Sequence, residues 1–229
     1  MTNNMKYKCI IFDCDGTLLD TLGDIAFAMN KSLSSRGFPV IPQERYRDMV
    51  GWGIYRLAEL TLPCESRTKE NIKMIGESAS GFMEAAAGES LSKPYPGITD
   101  MLIKLSNLRL PRSRKMLLAV LSNKPELVLR RVISGFFPQI KFDAVCGMSA
   151  GKAAKPEPSA VWDMLAEIDC LPQDAVFAGD SEIDIETARN AGCYPLGVSW
   201  GFRTRAVLEE AGAARIIDAP DELFELLET

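Results

Sequence analysis

The sequence predicts an α/β fold, a doubly wound parallel sheet with an all-helical block inserted after its first strand. Two observations carry this. After Pro96, short apolar runs of strand type alternate with helical periodicity across short connections, the pattern of a parallel sheet covered by helices on both faces. Between Asp20 and Lys93 the alternation is absent and only the three-to-four spacing of helices remains. The expected division is a sheet core of residues 1–19 and 95–229 and an inserted helical unit of residues 20–94.

Each element has its own signal. Lys6 to Asp13 holds an apolar run that predicts the first strand. Leu22, Ile25, Ala26, Met29 and Leu33 then recur at helical spacing, and Gly37 with Pro39 closes the segment. Further helices are expected over Pro42 to Val50, Ile54 to Leu62 and Glu65 to about Ala87. Lys93-Pro94-Tyr95-Pro96-Gly97 is a stiff, turn-prone hinge. Beyond it, strands are expected at Lys115 to Leu121, Phe142 to Cys146, Ala175 to Ala178, Pro195 to Ser199 and Ala214 to Ile217. Helices separate them, and a final helix covers Asp221 to Glu228.

The composition narrows the chemistry. The chain has 229 residues, 47% hydrophobic and 25% charged, enough for a substantial core. Its formal charge of -5 gives no reason to expect nucleic acid or an anionic membrane as a partner. Arg109, Arg112, Arg114 and Lys115 form the one basic cluster, expected in a solvated loop. The six cysteines contain no Cys-x-x-Cys pair and several sit in apolar runs, so reduced thiols and a cytoplasmic location are expected. The first eight residues are polar and the following apolar run is too short for a signal peptide or membrane span. With no histidine, Ser-His and Cys-His nucleophile pairs and His-ligated zinc are excluded.

In a parallel sheet, ligands bind beyond the carboxyl ends of the strands. The first strand delivers Asp13-Cys-Asp15-Gly-Thr, and a carboxylate there is costly unless a cation or hydrogen bonds hold it. The next delivers Ser122-Asn123-Lys124, the third is followed by Lys155-Pro156-Glu157-Pro158, and the fourth ends in Gly179-Asp180-Ser181-Glu182-Ile183-Asp184. Asp13, Asp15 and Asp180 suit a hard divalent cation such as Mg2+, while Ser122, helix N–H groups and Lys155 suit a phosphate. Asp184 is placed to orient a metal-bound water or to fix Lys155. One aspartate can act as covalent nucleophile and the second as acid and base.

These four ordered motifs, Asp13-Cys-Asp15-Gly-Thr-Leu-Leu-Asp20, Ser122-Asn123-Lys124-Pro125, Lys155-Pro156-Glu157-Pro158 and Gly179-Asp180-Ser181-x-x-Asp184, resemble the signature of the haloacid dehalogenase superfamily of phosphohydrolases. The resemblance implies a Rossmann-like core with a helical cap that closes over the site, and Mg2+ as cofactor. It implies Asp13 as nucleophile and metal ligand, and Asp15 as general acid and base that reaches the metal through its backbone carbonyl. Ser122, Asn123 and Lys155 would bind phosphate, Asp180 would ligate the metal, and Asp184 would support it. Asp20-Thr21-Leu22-x-Asp24-Ile25, Val50-Gly51-Trp52-Gly53, Tyr95-Pro96-Gly97 and Ala191-Gly192-Cys193 resemble the phosphoglycolate phosphatase branch, which would put Gly51 and Arg56 on a cap loop facing the core.

The expected activity is hydrolysis of a small phosphomonoester, with a small phosphorylated metabolite as partner and a monomer or homodimer as assembly. A phosphosugar mutase on the same core is the alternative, but such mutases carry a histidine after the first motif and this chain has none. Dehalogenases lack the second aspartate, present here as Asp15, and nothing marks Lys31 as the Schiff-base lysine of a phosphonate-cleaving enzyme. A catalytically silent binding or regulatory protein of this fold is the alternative from another class.

Overall fold

A computed structural model describes residues 6–85, 91–110, 115–149, 151 and 153–228. In chain order the elements are β1 (Cys9–Phe12), β2 (Leu19–Asp20), α1 (Leu22–Ser34), α2 (Gln43–Tyr46), α3 (Ile54–Thr61), α4 (Lys69–Ala85), β3 (Lys93–Pro94) and α5 (Ile98–Asn107). The chain continues through β4 (Leu117–Pro125), α6 (Glu126–Phe136), β5 (Ala144–Met148), α7 (Ser159–Glu167), β6 (Ala175–Gly179) and α8 (Glu182–Ala191). It closes with β7 (Tyr194–Val198), α9 (Arg205–Ala211), β8 (Arg215–Ile217) and α10 (Leu223–Leu227).

Six strands form one sheet in the order β5-β4-β1-β6-β7-β8, and all of its pairings are parallel. Successive strand residues point to opposite faces, and the two halves of the core follow that rule. Ile10, Phe12, Leu118, Val120, Val176 and Ala178 pack on one face, and Cys9, Ile11, Ala119, Leu121, Ala175 and Phe177 on the other. From β1 the chain builds outward through β4 to β5 and then crosses back to β6 on the other side of β1. This reversal opens a crevice at the carboxyl ends of these three strands.

Helices α1 to α4 lie between β2 and β3 and share their own core, which includes Met29, Leu33, Tyr46, Ala58 and Ile75. Phe202, from the loop after β7, packs into that same cluster. The hinge differs from expectation: Leu19–Asp20 pairs antiparallel with Lys93–Pro94 as a two-stranded ribbon. Two residues are too few to show alternation, so the sequence pattern gives no sign of it. Asp24 adds a second tie, accepting hydrogen bonds from the backbone N–H of Leu91 at 2.8 Å and of Ser92 at 3.0 Å.

Boundaries also move, and the helix expected over Pro42 to Val50 is confined to Gln43–Tyr46. β4 runs through Ser122-Asn123-Lys124 to Pro125, with its pairing to β5 shifting register between Leu121 and Pro125. β5 begins at Ala144 rather than Phe142. α8 begins at Glu182, where Ser181 and Asp184 close a capping box of the Ser-x-x-acid spacing. The expected end of the fourth helix at Ala86 and Ala87, and Arg112 and Arg114 of the basic cluster, lie outside the described residues.

Candidate active site

Asp13 sits one residue beyond β1, its N–H held by the Ala178 carbonyl at 2.9 Å, so the ladder between β1 and β6 fixes its position. The chain then turns sharply: Gly16 adopts φ +85°, and a Cβ there would stand 2.2 Å from Asp180 Oδ2. Only glycine fits that approach. The turn brings Thr17 under Asp180, with its hydroxyl donating to Asp180 Oδ1 at 3.0 Å while the Phe202 N–H donates to Oδ2 at 2.8 Å.

Asp184 points inward from the first turn of α8. Its Oδ2 accepts from the Ser181 N–H at 3.1 Å and hydroxyl at 2.6 Å, and its Oδ1 receives Lys155 Nζ at 2.6 Å. Lys155 Nζ also lies 2.9 Å from Asp13 Oδ1. That approach is an ion pair without hydrogen-bond geometry, since Asp13 Oδ1 is buried and has no hydrogen-bond partner. The oxygens of Asp13, Asp180 and Asp184 all lie within 4.8 Å of one another.

Three clustered buried carboxylates stand against one ammonium, which pairs with Asp13 and Asp184. Burial raises the Asp13 carboxyl to about 7, against the pull of Lys155 and with the help of Asp184 and Asp15. Burial, then Asp184 and Asp13, also raises Asp180 well above the usual carboxyl range. Burial opposes the charge on Lys155, but Asp13 and Asp184 outweigh it and hold the ammonium charged above the usual lysine range. An excess of buried oxygen ligands, one of them lacking a hydrogen bond, fits a hard divalent cation that takes oxygen donors.

The clustered carboxylates are those of Asp13, Asp180 and Asp184, so Asp184 joins the two expected side-chain ligands, while the carboxylate of Asp15, expected at the metal through its backbone carbonyl, faces elsewhere. Asp15 Oδ1 accepts from the Thr21 hydroxyl at 2.7 Å, and its Oδ2 pairs with the buried Lys124 ammonium at 3.1 Å. Burial opposes charge on Lys124 too, yet Asp15 and Cys14 raise its pKa overall.

Ser122 is buried in the crevice with Asp13 and Asp15, its hydroxyl accepting from the Lys124 N–H at 3.3 Å. It does not cap α6, which carries no side-chain cap. Asn123, expected on phosphate, is used otherwise. Its amide N–H donates to the carbonyls of Gly51 at 2.9 Å and Lys155 at 3.2 Å, and its Oδ1 accepts from the Lys155 N–H at 2.9 Å. Gly51 therefore does face the core, lining the crevice with Asp13, Asp15 and Ser122. Arg56 does not: its side chain is 52% exposed and pairs with Glu59 at 2.5 Å on its own helix. Thr17, Thr21 and Lys124 are site residues that the sequence reading missed, although all three lie within or beside the quoted motifs.

The sequence profile of the haloacid dehalogenase-like hydrolases matches residues 10–198. A phosphoglycolate phosphatase of Vibrio parahaemolyticus is 28% identical over 224 residues, covering 96% of each chain. One of Haemophilus influenzae is 27% identical over 233 residues, covering 98% of this chain and 100% of its own. Among solved structures, a protein of Clostridium acetobutylicum described as a predicted phosphatase superposes with a TM-score of 0.83 at 25% identity, covering 97% of this chain and 99% of its own. The parallel sheet, the carboxylates at its switch point and the profile match across most of the chain agree, and the chain belongs to the haloacid dehalogenase-like hydrolases.

Proposed function

We propose that the protein is a magnesium-dependent phosphatase that hydrolyses a small phosphomonoester through an aspartyl-phosphate on Asp13. The observation that carries this reading is Asp13 Oδ1, a buried carboxylate oxygen without a hydrogen bond at the carboxyl end of β1, beside Lys155 and lining the same crevice as Ser122. Asp13 Oδ attacks phosphorus as the ester P–O bond breaks, and Asp15 gives its proton to the departing alcohol oxygen. Asp15 then takes a proton from water as that water attacks phosphorus and frees Asp13, releasing inorganic phosphate. Lys155 and the Ser122 hydroxyl bind the phosphoryl oxygens, and Asp184 holds Lys155 in place. Asp13, Asp180 and Asp184 would hold the magnesium ion, which supplies positive charge to the phosphoryl group when bound.

The relatives named phosphoglycolate phosphatases support a small metabolite as substrate and make phosphoglycolate the first one to test. Residues 20–94 serve in this reading as the cap. Free, largely buried thiols support a cytoplasmic site of action, and no helix among the described residues is long and apolar enough to cross a membrane. Release of inorganic phosphate from a panel of phosphomonoesters tests the reading. We expect turnover that EDTA abolishes and that Asp13→Asn lowers by about a thousandfold or more. Undiminished turnover in EDTA, or in the Asn variant, would overturn it.

A further inference from the structure

The space directly over Asp13 and Asp15 is small, about 50 Å3. It adjoins a second cavity of about 340 Å3 between α1, α4 and α6, and Ile25, Met83 and Lys124 line both. Thr21 and Lys124, the two residues that hold Asp15, stand at the mouth of the larger space. The larger space thus begins just beyond the two residues that hold the proton donor. The larger volume is that of an ordinary small-molecule site, roughly 300–1,000 Å3.

The lining decides what that group is. Phe27, Phe82, Met83, Val128, Val132 and Phe136 give it an apolar wall. Two cations line the joined spaces among the described residues, and each already faces a carboxylate: Lys124 faces Asp15 at 3.1 Å, and Arg131 faces Glu84 at 4.0 Å. Asp13 and Asp15 are matched by Lys155 and Lys124, and in the larger space Asp24 and Glu84 stand against Arg131. A second anionic group in the larger space would lie beside Asp24 and Glu84, with the half-exposed Arg131 as the cation nearest to it among the described lining residues besides Lys124, which Asp15 holds.

We propose that the leaving group occupies this cavity, and that the preferred substrate is the phosphomonoester of an uncharged alcohol bearing an aryl or branched alkyl group rather than of a small hydroxy acid. The inference rests on the phosphatase reading and revises only the alcohol half of the ester. The bond broken is the same P–O bond, and the apolar alcohol leaves with the proton from Asp15.

Gly135 of α6 offers a probe, since a Cβ built there meets nothing within 4 Å and a side chain can grow into the cavity without a backbone clash. Phenethyl phosphate and 2-phosphoglycolate would be compared by kcat/KM in the magnesium-loaded enzyme. Binding of their uncleavable counterparts, 3-phenylpropylphosphonate and 3-phosphonopropionate, would be measured by calorimetry. We expect at least a tenfold preference for the phenethyl ester, and at least a tenfold fall in that preference in Gly135→Leu. A preference for phosphoglycolate, or a ratio that Gly135→Leu leaves unmoved, would overturn the inference while the phosphatase reading stands. If neither ester is hydrolysed yet the phenyl phosphonate binds at least tenfold more tightly, the catalytic reading falls and the cavity assignment survives. No preference in binding overturns the cavity assignment as well.

Discussion

At the scale of single residues, the site is a balance of unlike tasks for like side chains. Asp13, Asp180 and Asp184 crowd one another, while Asp15, two residues from Asp13, is drawn away by Thr21 and Lys124. That crowding gives a stability signature in the metal-free protein. A free aspartate titrates near 3.9, whereas folded Asp13 titrates at about 7, so between these values the folded state holds a proton that the unfolded chain has released. Stability then falls as pH rises through that window. The melting temperature in EDTA should therefore decline from about pH 5 to pH 8, by about 2–4 °C for each kcal/mol lost. Magnesium should restore it most at pH 8, where the carboxylates are charged, and Asp13→Asn should make the decline shallower, with Asp180, also raised by burial, carrying what remains. Thermal melts across pH, with and without magnesium, check this, and a profile rising toward pH 8 in EDTA would contradict it.

At the scale of elements, what the sequence disclosed follows from what each signal measures. The sheet strands and the aspartates beyond them were legible because apolar runs ending in charge are local patterns. The pairing of Lys124 with Asp15, the Thr17 bond to Asp180 and the clamp made by Asn123 were not, because each joins parts of the chain that only the tertiary fold brings together. Arg56 was misplaced for a related reason: proximity to the Gly-Trp-Gly turn in sequence does not set the direction of its side chain on α3. Asn123 shows what the irregular end of β4 contributes. Where the register shifts, one side chain ties the Gly51 loop to the Lys155 backbone. Asn123→Ala leaves the Lys155 N–H and the Gly51 carbonyl without that partner, at a cost of roughly 1–3 kcal/mol for each buried group left unsatisfied. Denaturant titration should show a loss of that order. Turnover should fall about tenfold or more as Lys155 loses its fixed position, a scale on which displacements of about 1 Å are felt.

At the scale of the whole molecule, the helical block is joined to the sheet by the β2–β3 ribbon and is held down elsewhere by a hook from the loop after β7. Phe202 inserts into the core shared by α1, α3 and α4. Arg203 beside it, its side chain only 10% exposed, pairs with Glu182 at 3.0 Å and donates to the carbonyls of Val50 at 2.9 Å and Arg47. Glu182 opens α8, the helix that also carries Asp184, so one arginine links the rim of the carboxylate cluster to the loop that ends at Gly51. The ribbon has only two residue pairs to resist rotation, whereas Arg203, anchored on Glu182, supplies two hydrogen bonds across the crevice. Removing it should shift the helical block toward open arrangements rather than unfold it, because Met29, Tyr46 and Ile75 keep its own core intact. In Arg203→Ala, amide exchange should quicken in residues 47–53 and in the ribbon, with α1 and α4 retaining their protection, and KM should rise more than kcat falls. Unchanged exchange in residues 47–53 would show that Arg203 does not hold this loop and that Phe202 and Asn123 suffice.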